Sequence, residues 1–153
     1  MKIVLGLCSL IVCIFVGYFF SKKFSQRLDF FNAFNNFNKR FKNEVGYTKN
    51  SIINLIEEET NKNDFHNYLL SFLVSEELKI EEKYLNKDDV IFFNNYLKNL
   101  CTSDTEMQIK YLESIDRQIE LKVKEANDND KKYRTLYIKL GFLIGLIIFI
   151  VLL

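Results

Sequence analysis

The sequence predicts an all-α membrane protein, with one transmembrane helix at each end of the chain and a cytoplasmic helical bundle between them. Three observations carry this. Proline is absent from the 153 residues and glycine occurs five times, so the turn chemistry of a multi-strand sheet is missing. A long apolar run lies at each end. Between the runs, apolar residues recur every three or four positions, the repeat of helices with one buried face.

The first run, Ile3 to Phe20, contains only apolar and small residues. As a helix rising about 1.5 Å per residue it covers roughly 27 Å of a roughly 30 Å hydrocarbon core. It closes on Gly17-Tyr18-Phe19-Phe20-Ser21-Lys22-Lys23 without a small-x-small cleavage site, and reads as an uncleaved anchor over residues 1–21. Leu7 before Cys8 and Val12 before Cys13 do not make lipoprotein acylation sites. The second run, Leu140 to Leu153, is extended by Leu136-Tyr137-Ile138. Lys139 can lift its ammonium to head-group level along its own stem, which gives a second anchor over residues 136–153.

Cations set the orientation. Lys22, Lys23 and Arg27 flank the first run and Lys131, Lys132, Arg134 and Lys139 the second, whereas Lys2 stands alone on the other side. Basic flanks stay in the cytoplasm, so residues 22–135 are expected there. Small residues repeat at four-residue spacing in the first run, at Ser9, Cys13, Gly17 and Ser21, and the second carries a GxxxG spacing at Gly141 and Gly145. Gly17, Gly141 and Gly145 are therefore candidate helix-packing positions. The plainer reading is that small residues fall at this spacing by chance in any apolar helix.

In the middle segment, Phe24, Leu28, Phe31, Phe34, Phe37 and Phe41 recur with polar residues between them, so the first helix is expected to continue beyond the membrane. The stripe reads first as core contact, and second as an exposed partner groove or a surface lying along the membrane. Gly46 breaks the repeat. Ile52, Ile53, Leu55 and Ile56 predict a short second helix, and Phe65, Leu69, Phe72 and Leu73 a third. Lys79 to Lys87 reads as a charged connector, and Val90, Phe93, Leu97 and Leu100 mark a fourth helix beginning near Asn86. Ser103-Asp104-Thr105-Glu106 has capping-box spacing. The helix it opens shows Leu112, Ile115, Ile119, Val123 and Ala126 on one face and can run unbroken into the second membrane segment.

The chemistry-bearing residues are few. A net charge of +1 offers no single-sign field for nucleic acid. No phosphate-binding glycine loop is present, so no nucleotide cofactor is expected. His66 is the lone histidine and has no Cys or His at metal-ligand spacing, so no metal is expected there. Glu57-Glu58-Glu59, Glu76-Glu77 and Glu81-Glu82 lie among lysines and read as solvated helix faces. Cys101 lacks a base and an orienting partner and reads as a small core residue, and three cysteines without pairing fit a reducing compartment. Asp104 and Gln108, four apart on one helix face, are either part of a partner surface or structural supports of the helix start. The protein is expected not to be an enzyme.

Taken together, these landmarks resemble the stage III sporulation protein AB family. The likeness is most specific from Leu100 to Leu153, in Leu100, Cys101, Ser103, Asp104 and Gln108, then Lys132-Tyr133-Arg134, Leu140-Gly141 and Gly145. It is weaker at Glu44, Tyr47 and Thr48, where Lys49 and Asn50 replace the family's proline and leucine. Cys101 stands where glycine is usual. The resemblance implies a soluble domain similar to the cytoplasmic domain of the type II secretion platform protein F. It further implies a scaffold of the channel complex between mother cell and forespore, in the mother-cell membrane, whose partners are the channel ATPase (stage III sporulation protein AA) and other channel subunits. The alternative is a two-anchor membrane tether or signalling subunit that oligomerises with copies of itself through its helices.

Overall fold

The computed structural model describes residues 2–47, 64–75, 84–102 and 105–152. All of these are helical except Tyr84–Asn86, and no strand occurs among them. The helices are α1 (Lys2–Tyr47), α2 (Asp64–Ser75), α3 (Lys87–Thr102) and α4 (Thr105–Leu152). Both expectations of unbroken continuation hold: α1 carries the first apolar run and the phenylalanine stripe in one helix, and α4 carries the last amphipathic repeat and the second apolar run. The expected short helix at Ile52–Ile56, the glutamate runs and most of the charged connector lie outside the described residues.

Local sequence explains the start of α3. The carbonyl of Asn86 accepts the backbone N–H groups of Asp89 (3.0 Å) and Val90 (3.1 Å), while the Asp89 carboxylate accepts the N–H of Asn86 at 3.3 Å. The bond from the Asn86 N–H to the Asp89 carboxylate is one half of a capping box, and Asp88 and Asp89 place negative charge on the positive end of the helix.

The chain divides into two compact units, Asp29–Val123, and Met1–Leu28 with Lys124–Leu153. In the first of these, the interior is aromatic. Phe31 and Phe34 on α1, Leu69 on α2, Phe93, Tyr96 and Leu97 on α3, and Leu112 and Ile119 on α4 have no solvent exposure. Phe34 sits edge-on to Tyr96 (4.6 Å between ring centroids) and to Phe93 (5.2 Å), and stacks on Phe65 at 5.8 Å. Edge-to-face pairs at this range add about 0.5–1.5 kcal/mol beyond area burial. From Phe31 to Phe41 the stripe is therefore core within one chain.

In the second unit, the N-terminal part of α1 lies antiparallel to the C-terminal part of α4. Gly6 faces Phe149, Leu10 faces Gly145, Cys13 faces Gly141, and Gly17 faces Tyr137. Outside this seam the surface is apolar: Val4, Phe15, Phe19, Ile147, Ile150 and Val151 are all more than half exposed. Only 17% of the most apolar window of α1 is buried, and 11% of that of α4. A core helix of a water-soluble protein would be mostly buried, so these two helices are long and apolar enough to cross a membrane and present the surface for it.

Candidate functional site

Two constellations stand out, one in each unit. The first is the seam between α1 and α4. A Cβ placed on Gly17 would lie 2.6 Å from the Tyr137 carbonyl oxygen, and one on Gly141 would lie 2.6 Å from that of Cys13. At Gly145 the neighbour is the Leu10 Cα, at 3.0 Å. Real Cβ atoms do not approach backbone this closely, so glycine at 17 and 141 is what lets the two backbones touch. Gly6, which spacing alone did not single out, joins the seam: its Cβ would meet the Phe149 ring at 2.7 Å. Ser9 and Ser21, members of the four-residue stripe, turn their hydroxyls back onto their own helix, to the carbonyls of Gly6 (2.8 Å) and Tyr18 (2.7 Å).

Next to the glycines the seam changes chemistry. Phe24 stacks on Tyr133 at 4.9 Å and on Tyr137 at 5.9 Å, and Lys23 and Lys132 hold their ammonium groups 5.0 and 5.3 Å from the ring centroids of Phe24 and Tyr133. One step further, the buried Arg27 guanidinium pairs with half-exposed Glu125 at 3.1 Å. Aromatic rings followed by paired charge is the order of side chains expected where a helix pair leaves hydrocarbon for water.

The second constellation ties the helices of the aromatic unit together through polar side chains. The fully buried Asn38 on α1 accepts the Tyr96 hydroxyl at 3.0 Å and donates its amide to Asp116 on α4. Lys42, one turn along α1, donates to the other oxygen of the same carboxylate. On α3, the buried Asp89 receives the Lys122 ammonium at 2.9 Å. Asn99 reaches the Tyr111 hydroxyl at 3.3 Å. Burial raises the Tyr96 phenol well above its usual range and raises Tyr111 as well; the hydrogen bond to Asp116 raises the Lys42 ammonium.

Of the residues singled out by sequence, Gln108 donates to the Leu100 carbonyl at 2.8 Å, one of the acceptors left without an intrahelical partner in the last turn of α3. That bond joins the end of α3 to the start of α4. Asp104 and the side chain of Cys101 lie outside the described residues. His66 is buried on α2. The network around Asn38 and Asp116 was invisible to spacing, since its members are scattered over three helices and none belongs to a motif.

Architecture and sites together define a helical protein with two membrane-length apolar helices, one zipped to the other through glycines, and an aromatic-cored unit held by cross-helix polar ties. Within that class, the chain belongs to the stage III sporulation protein AB family, whose model matches residues 2–153. This is a sporulation family of structural type and not a known family of enzymes. No match is found among curated proteins or among solved structures.

Proposed function

We propose that this chain is a non-enzymatic membrane scaffold of the sporulation channel complex, and that its aromatic-cored unit docks the channel ATPase at the cytoplasmic face of the mother-cell membrane. The observation that carries the reading is how the polar side chains of that unit are used. Asn38, Lys42, Asp89, Tyr96, Gln108, Asp116 and Lys122 each hold one helix to another, which makes a rigid body suited to presenting a surface. Family membership supplies the stage III sporulation role, and the basic flanks Lys22, Lys23, Lys131, Lys132 and Arg134 support a cytoplasmic position for the unit. Function by docking needs no cofactor; the ATPase would supply the energy.

The test is co-purification of the full chain, in detergent, with stage III sporulation protein AA. A stoichiometric complex that survives dilution is expected. Failure of the two to associate at tens of micromolar would remove the docking part of the reading. Deleting the gene is expected to block sporulation after engulfment.

A further inference from the structure

We propose that the membrane-spanning pair holds one anionic phospholipid, with its phosphate on Lys139 and an acyl chain in the groove between α1 and α4 lined by Ile14, Ile138, Phe142 and Leu143. The proposal rests on the reading that this pair crosses a bilayer.

The first observation is an uncompensated charge. Lys139 is the only ionisable side chain acting in charged form beyond Arg134 on α4, and it stands about one and a half turns, roughly 7–8 Å, inside that residue. It is exposed and, among the described residues, makes no ion pair or hydrogen bond. No carboxylate of its own unit can reach it. Residues 1–28 contain neither Asp nor Glu, and between Lys124 and Leu153 the acids are Glu125, Asp128 and Asp130, the last of them nine positions away along the same helix. Lifted to head-group level along its own stem, this ammonium has no partner among the described residues, and the anion available at that level of a bilayer is a lipid phosphate.

The second observation is the shape beside it. Lys139 forms part of the wall of a groove of about 410 Å³ whose other lining, Ile14, Ile138, Phe142 and Leu143, is apolar. A neighbouring hollow shares Ile14 and Ile138 and is closed by Tyr18. A flexible hydrocarbon chain fits the groove. An anionic head group suits the site better than a zwitterionic one, because choline or ethanolamine would bring a second cation beside Lys139.

The chain contains no tryptophan, so a single reporter can be placed in the groove by Phe142→Trp. The full-length protein is reconstituted in phosphatidylcholine vesicles containing brominated phosphatidylglycerol or brominated phosphatidylcholine, and quenching of the reporter is compared. The expected result is an approximately fivefold preference for brominated phosphatidylglycerol, the strength of one lysine at an anionic surface. Lys139→Gln should abolish the preference, while Lys131→Gln, off the groove, should leave it. Equal quenching by the two lipids, or a preference that survives Lys139→Gln, overturns the proposal. So does absence of quenching by either lipid, which would mean that a protein helix covers the groove. Flotation of the same vesicles separates the two levels: protein that fails to float overturns the membrane reading itself, whereas protein that floats without lipid preference overturns the lipid site alone.

Discussion

The two units bring their helices together by opposite means. Along the apolar pair the decisive positions, Gly17 and Gly141, are those with no side chain, and large residues such as Phe15 and Phe19 point away from the contact. In the Asp29–Val123 unit the decisive positions are the largest ones available, and Phe31, Phe34, Phe93 and Tyr96 meet at its centre. The difference follows from the solvent. Water drives apolar rings together, so mass in the core is rewarded. Lipid tails are as apolar as leucine, so the gain lies in close backbone approach instead.

The sharpest way to break this contrast is to delete a ring. Phe34→Ala should destabilise the aromatic unit by about 3–5 kcal/mol, whereas Phe15→Ala, on the exposed face of the apolar pair, should change thermal unfolding of the detergent-solubilised chain very little. Equal costs would mean that the two units are not packed differently. Adding bulk should have the reverse pattern. Gly17→Leu would drive a side chain into the Tyr137 backbone, at an expected cost of about 1–3 kcal/mol, visible as a lowered thermal unfolding midpoint of the detergent-solubilised chain.

A polar deletion probes the ties rather than the mass. Asp116→Ala strands the Asn38 amide and the Lys42 ammonium, and should cost about 1–3 kcal/mol in urea unfolding. Alkaline titration checks the same cluster. Tyr96 and Lys42 both hold their protons more tightly folded than unfolded, so their contribution is intact below the ordinary values of 10.0 and 10.5 and is lost as pH rises through their raised folded values. Unfolding should therefore be favoured above about pH 10, and Tyr96→Phe should flatten part of that dependence. The smallest effect is expected at the exposed Lys39–Glu120 pair, where Lys39→Ala should cost at most about 1 kcal/mol.

Periodicity carried the helices, the continuous passage of α1 and α4, and the core role of Phe31, Phe34, Phe37 and Phe41, because a stripe every three or four residues has one meaning wherever the helix packs. It also pointed to Gly17, Gly141 and Gly145. It missed Gly6, which lies off the four-residue stripe, on the alternating three- and four-residue line through Leu10 and Cys13 that forms the real seam. Gln108 was legible as a notable residue but its role was not. Its acceptor, Leu100, lies on the preceding helix, and no local rule says which carbonyl of one helix an amide on the next will meet. The Asn38–Asp116–Tyr96 network was illegible for the same reason, on a larger scale. Polar residues on three separate helices become a cluster only once the ring packing has fixed which faces meet.

The contact between Gly17 and Gly141 also bears on the order of events in the cell. Its two halves lie near opposite ends of the sequence, so during synthesis at about 5–20 residues per second the first apolar segment waits roughly 6–25 s before its partner exists. Throughout that interval its glycine face is open to whatever other helix or insertion factor is at hand. Closure of the pair is a late step of biogenesis, and the interval before it is when a wrong helical partner can intervene.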